Sequence, residues 1–477
     1  MGTTLIRNAA WLVEYDRASK AQRYRRNVDI AFDERGIRAI GKVEEQAERV
    51  IDGSALMVMP GLINIHGHPA TASAGKGVIE ELGNLDLYGS GLYDTKAPFR
   101  MTIDGYPASE TNGLCELLLS GVTTLVDIPF RGFDGWIDLL ARSGMRAVAA
   151  PMFASASWFS STGHVVEYKW DERDGVRQME AALRLIETAE HHPSGRLSGM
   201  VYPAQIDTCT PELIQESHAI AKRSGRLWQI HASQSLVEFH EMTRRHGLTP
   251  IQWLAKLGVL GKESSVAHAI FIDSSSWTQW HTRRDLGLLA ESGTSVAHCP
   301  TPFMRYGHAM ESVGDYLAAG VNMGLGTDCH PHDLVLEMGW AATLGRVMAR
   351  RHDRITTGQI FDMATRGGAR LLRRDDIGGL AVGMKADLVL VDLAEPAMRP
   401  ARDPLRSLIY SCGSRAIRDV FVDGRQVVAG RKVLTLDHEA AMAEVERRQG
   451  DILATAAERS REKKGADELA PLSLPLA

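Results

Sequence analysis

The sequence predicts an α/β fold, a (β/α)8 TIM barrel with a small β-sandwich domain built from both chain ends, on three observations. Eight apolar strand runs recur through the middle of the chain, helical patterns separate most of them, and short strands of another kind flank them on both sides. At the start, LIRNAAWLV and NVDIAFD alternate apolar and polar residues, and DERG supplies a turn before IRAIGKV. The eight runs fall at 56–66, 121–128, 146–153, 197–204, 226–232, 265–272, 294–300 and 321–328. Stretches between them such as GVRQMEAALRLIETAEHH and TPELIQESHAIAKRSG read as helices. Eight βα units in about 250–300 residues is what such a barrel requires. Downstream, ADLVLVDL, IRDVFVDG and RQVVAG return to short strands, so the two ends have to meet. The expected division is 1–58 with 378–435 for the sandwich, 59–377 for the barrel, and 436–477 for a C-terminal helix and charged tail.

With 477 residues, 44% hydrophobic and 24% charged, the chain can bury a deep pocket and lacks the bias of disordered, collagen-like or disulfide-stapled proteins. A net charge of −5 without a basic block speaks against nucleic acid as a partner, and no apolar run suits a membrane span. Five scattered cysteines without a CxxC pair exclude a zinc ribbon and fit a reducing compartment. The first residues lack a secretory pattern, so a cytoplasmic enzyme is expected. A homo-oligomer, dimer or tetramer, is the prior for a symmetric enzyme of this kind.

The chemistry lies where polar residues fall on the strands. In a barrel the carboxyl ends of the strands open on one shared cavity. His66 and His68 close the first run, two apart and therefore on one side of the strand. His231 ends the fifth run, His268 lies late in the sixth, His298 falls at the end of the seventh, and Asp328 ends the eighth. A single buried histidine is ordinarily a satisfied core residue. Five of the 17 converging with an aspartate on one mouth point instead to a metal. Three histidines and a carboxylate are a borderline-soft donor set that suits one divalent ion, Zn²⁺ first, with Fe²⁺, Co²⁺ or Mn²⁺ admissible. The fourth run, SGMVYPAQID, ends without a lysine, so a carbamate bridging two metals is not expected.

PGLINIHGH, the isolated His231, VAHAIFID, VAHCP and LGTD, in that order, resemble the amidohydrolase superfamily. They are most similar to its mononuclear branch of cytosine deaminases and triazine hydrolases. GGLAVGMKADLVLVD followed by VFVDGRQV resembles the element closing the sandwich in that group. By this resemblance His66, His68, His231 and Asp328 are the metal ligands, and His268 and His298 contact the metal-bound water or the substrate. Metal-bound hydroxide would then attack, with Asp328 as proton shuttle.

One departure bears on the reaction. Deaminases of the branch carry H-x-x-E after the fifth strand, the glutamate passing a proton to a ring nitrogen. Here the segment is H-A-S-Q and the position holds Gln234, which exchanges hydrogen bonds but not protons. Resemblance and departure together imply hydrolysis of a non-peptide C–N bond (amide, urea or carbamate type) in a small molecule, similar to phenylurea and thiocarbamate hydrolases. Deamination or dechlorination of a purine, pyrimidine or triazine ring is the alternative, and a non-catalytic barrel the remote one.

Loop residues complete the reading. Tyr88, Tyr93 and Phe99, then Phe130, Phe133, Trp158 and Phe159, are candidates for an aromatic substrate wall. Arg305 and His308 are candidates for a substrate carbonyl. His330 and His332 read as solvent-facing loop histidines, and Cys299 and Cys329 as small packing residues. The charged C-terminal segment reads as a solvated face, with packing of the helix's apolar side on a neighbouring subunit as the open alternative.

Overall fold

The computed structural model describes residues 2–44 and 46–476. Eight strands follow one another in sequence order around a barrel. They are β1 (Leu62–Gly67), β2 (Val122–Asp127), β3 (Arg146–Ala149), β4 (Leu197–Pro203), β5 (Leu227–Ala232), β6 (Ser264–His268), β7 (Ser295–His298) and β8 (Met323–Leu325). Every neighbouring pair is parallel. The ring closes where Gly67 bridges Asp328, just past the end of β8.

The apolar runs follow from burial on both faces of the sheet. Alternate residues such as Ile63, Ile65, Val126, Ile128, Val148 and Met200 fill the barrel interior. Their neighbours Leu62, Leu125, Ala147 and Val201 face the helices, where the larger core lies. The helices carry the expected end signals: Thr210 caps Pro211–Ser224 by accepting from Leu213 N, and Gly225 stops it.

Two further sheets pack together beside the barrel. One orders Gly36–Gly41, Val28–Asp33, Thr4–Ala9 and Arg49–Asp52; the other joins strands from both ends of the chain. In the second, Leu56–Pro60 pairs antiparallel with Leu388–Asp392. Ile6, Ile30, Phe32, Val58, Leu390 and Phe421 form the core between them.

Two expectations need correction here. The run 56–66 is two strands, not one: Leu56–Pro60 belongs to the sandwich sheet, and β1 starts at Leu62. Gly61 is the joint, because a β-carbon there would collide with the Thr123 side chain. The C-terminal helix His438–Ala454 keeps its apolar side for its own chain, burying Val445 and Ile452 against Ala70, Phe99 and Tyr106. Among the described residues no helix is long and apolar enough to cross a membrane.

Candidate active site

The carboxyl ends of the strands bring four of the expected residues onto one floor. His66, His68 and His231 each offer a ligand atom, all within 4.8 Å of one another. His68 Nε2 stands 3.6 Å from Asp328 Oδ1. Two donors at about 2.0–2.1 Å from one tetrahedral ion lie about 3.3 Å apart, so this spacing matches a shared cation after small adjustments.

Each ring is fixed by a hydrogen bond on its other nitrogen. His66 Nδ1–H donates to Gln229 Oε1 at 2.9 Å, His68 Nδ1–H to the Ile128 carbonyl at 2.5 Å, and His231 Nδ1–H to the Ala204 carbonyl at 2.6 Å. That leaves the Nε2 lone pairs to converge, the usual arrangement for ligating histidines. His66 Nε2 is buried without a hydrogen-bond partner among the described residues, an orphan that a metal would satisfy.

The electrostatics favour the same state. Burial holds His66 well below the usual imidazole range, helped by His231, His68 and His268. It pushes His231 down to about 3 and lowers His268 as well. These imidazoles are neutral at pH 7, the form that binds a metal. Asp328 is pushed up by burial, with His68, Lys96 and Arg305 pulling it back.

Backbone strain gathers at the same place. Ser233, His268 and Asp328 have φ of +56°, +80° and +59°, a region L-residues rarely enter. Gly326 lets the backbone leading to Asp328 pass close to His66 and Cys299, since a β-carbon there would sit 2.7 Å from His66 Cβ and 2.9 Å from Cys299 Sγ. Cys299, read from sequence as packing, also groups with His66 and His268 within 4.8 Å.

Above the floor opens a mainly apolar cavity of about 160 Å³. His68, His231, His268, Gln234 and Asp328 line its base. His268 Nε2 stands 3.7 Å from Asp328 Oδ2, and Gln234 Nε2 donates to Gln205 Oε1 at 2.7 Å. Of the expected aromatics, Phe99, Phe130 and Trp158 line the walls. Tyr93 supports them from behind, its ring 4.9 Å from Trp158 and its hydroxyl 2.6 Å from Ser235 Oγ. His308 and Cys329 also face the cavity.

Several expectations fail. His298 lines a separate small cavity with Pro300, Phe303 and Met310, and Phe303 stands between the two. His330 and His332 are buried, not solvent-facing. His330 is held by Ala72 O and Glu80 Oε1, and burial pushes His332 down to about 3. Arg305 spends its guanidinium on the His330 carbonyl at 2.8 Å. The sequence reading missed Lys96, Gln205, Phe303 and Tyr306, all in the cavity wall. Gln205 was findable, two residues past the end of β4; the others sit in loops without a periodic signal.

Residues 57–427 match the amidohydrolase family. The chain belongs to that family. This amidohydrolase is 27% identical over 430 residues to a 5'-deoxyadenosine deaminase of Methanosarcina mazei, covering 89% of this chain and 93% of that one. It is 29% identical over 414 residues to a 5-methylthioadenosine/S-adenosylhomocysteine deaminase of Natronomonas pharaonis, covering 86% and 90%. Among solved structures, an adenosine deaminase from Xanthomonas campestris with bound zinc superposes with a TM-score of 0.78 at 21% identity, over 94% of this chain and 98% of that one. Atrazine chlorohydrolase from Arthrobacter aurescens, complexed with zinc, gives 0.77 at 23% identity, over 94% and 100%. The barrel is thus that of the family, and as an amidohydrolase the chain is a hydrolase of carbon–nitrogen bonds with a histidine triad placed to hold a metal.

Proposed function

We propose that this amidohydrolase cleaves an acyclic, non-peptide C–N bond of amide, urea or carbamate type in a small organic molecule. One divalent ion, zinc foremost, would be held by His66, His68, His231 and Asp328. The observation that carries the reading is the supply of protons: among the described residues Asp328 is the only acidic side chain lining the cavity. Gln234 holds the place of a second shuttle and is an amide engaged with Gln205. Glu238, four residues on, turns away and accepts from Ser233 N at 2.5 Å and Gln234 N at 3.4 Å.

An ion bound at the floor would polarise the bond under attack and make water acidic near neutral pH. Asp328 takes the proton of the attacking water and delivers it to the leaving nitrogen, which one carboxylate can do in sequence. His268, neutral and beside that carboxylate, carries a donor suited to the developing oxyanion. Gln205 and Gln234 form a polar shelf that orients the substrate amide. Phe99, Phe130, Trp158 and Phe303 exclude water and fit an aromatic substituent. The same reading keeps the enzyme in the cytoplasm, its five free cysteines reduced, as a dimer or tetramer.

Ring deamination is the second reading, favoured by the deaminases among the relatives. It requires a proton on the ring during attack, and Asp328 would have to supply that too. Zinc-loaded enzyme should release amine from anilides and phenylureas faster than ammonia from adenosine-type nucleosides or triazines. Ammonia release alone, with both acyclic classes silent, overturns the first reading in favour of the second.

A further inference from the structure

Lys96 brings a positive charge to the cavity wall without a directly paired anion among the described residues. Its Nζ lies 4.4 Å from the centre of the Tyr306 ring. Among the described residues that ammonium makes no hydrogen bond and no ion pair, although it has three donors to satisfy. A ring face attracts a cation but accepts none of those donors in full.

Three acids of the same loop are engaged elsewhere. Glu80 binds His330 Nε2 at 2.8 Å, Asp86 faces His164 Nδ1 at 3.0 Å, and Asp94 accepts from Asn84 Nδ2 at 2.6 Å. Asp328 belongs to the floor. Arg100 also lines the cavity, so the lining holds two basic side chains against one carboxylate. Lys96 is not a freely swinging side chain's root: its backbone N–H is fixed on Gly91 O at 3.0 Å, and the turn behind it ends in buried Phe99.

We propose that Lys96 receives a carboxylate of the substrate, so that the molecule cleaved is a small anion held between this ammonium and the floor. The inference rests on the C–N hydrolase reading and narrows its substrate class. A carboxylate matches the single ammonium that lacks a hydrogen-bond partner among the described residues, whereas Arg100 gives a donor to Leu92 O at 2.8 Å and Arg305 one to His330 O at 2.8 Å. Burial lowers the Lys96 ammonium, and Asp328 acts on it favourably, which fits a cation waiting for a counter-charge.

The test measures binding, not turnover. Zinc-loaded wild type, Lys96→Met and Lys96→Arg, matched for zinc content and circular dichroism, are titrated calorimetrically with benzoate and with benzamide. Wild type should bind benzoate at least about tenfold tighter than benzamide, and Lys96→Met should lose that preference while benzamide affinity stays put. Lys96→Arg, which keeps the charge, should retain it within about threefold. Equal benzoate affinity in wild type and Lys96→Met overturns the proposal, and this includes a carboxylate that simply ligates zinc. No preference for benzoate in wild type overturns it as well. Silence in the amine-release assay would sink the C–N hydrolase reading yet leave this binding result legible.

Discussion

His68 and Asp328 are joined twice: the His68 amide donates to the Asp328 carbonyl at 2.6 Å, while His68 Nε2 stands 3.6 Å from Asp328 Oδ1. The Asp328 amide in turn donates to the His66 carbonyl at 2.9 Å. The hydrogen bonds that close the barrel therefore also align three of the four proposed ligands. A change to the Asp328 side chain leaves those backbone bonds in place. Asp328→Asn should accordingly fold with a melting temperature within a few degrees of wild type and lose about a thousandfold or more in kcat. Differential scanning calorimetry and steady-state kinetics check both halves. A variant that keeps activity would remove Asp328 from the role of shuttle.

Gln234→Glu supplies the missing carboxylate. Gln205 can turn its amide to donate where it now accepts, so the pair survives the change. Ammonia release from adenosine-type nucleosides should rise about tenfold or more, with amine release from acyclic substrates unchanged or lower. No gain in ammonia release would mean that ring chemistry is excluded by something other than the shuttle.

Asp207 steadies one cavity wall from behind. Its carboxylate accepts from Trp158 Nε1 and Tyr168 OH, both at 2.8 Å, and so ties down the hairpin of Ala156–Phe159 and Glu167–Trp170. Asp207→Ala should raise KM by about tenfold with a smaller change in kcat, because Trp158 would no longer be held against the substrate. An unchanged KM would show that Trp158 is not part of the wall that binds substrate.

Glu337 gives a pH signature. It is buried on the helix Leu334–Ala349, accepts from Thr301 N at 3.3 Å, and burial pushes it up to about 8. The folded state thus binds this proton more tightly than the unfolded chain, whose carboxyl titrates near 4.5. The stability it contributes is complete below that lower value and drains away as pH rises through the upper one. Glu337→Gln, which stays neutral, should match wild type near pH 4.5 and become more stable than wild type by up to about 1 kcal/mol per pH unit towards pH 8. Urea denaturation at several pH values measures this, and a difference that does not vary with pH contradicts it.

Legibility in the sequence followed the reach of its periodic signals. Buried strands read as apolar runs, and their polar last residues stood out: His66, His68, His231, His268 and Asp328 all meet at one floor. The same logic misplaced His298, because the side to which a strand's last residue turns depends on local twist, and Phe303 intervenes. The division of 56–66 was hidden because Leu56–Pro60 is buried in the sandwich as completely as β1 is in the barrel. His330 and His332 looked like loop residues by sequence neighbours, yet both are buried, and His330 is held there by Ala72 and Glu80, some 250 residues earlier. Lys96 and Tyr306 come together from two different loops, and no spacing along the chain announces such a meeting.

In the proposed function, three histidines and an aspartate share one cation on which hydrolysis depends. Elemental analysis of purified wild type and His66→Ala, paired with amine-release rates before and after chelation, tests it most directly. Wild type should carry about one transition-metal ion per chain, lose activity on chelation and regain it with zinc, while His66→Ala should hold little metal and stay inactive. Full activity in chelated wild type, or stoichiometric metal in His66→Ala, would contradict the account.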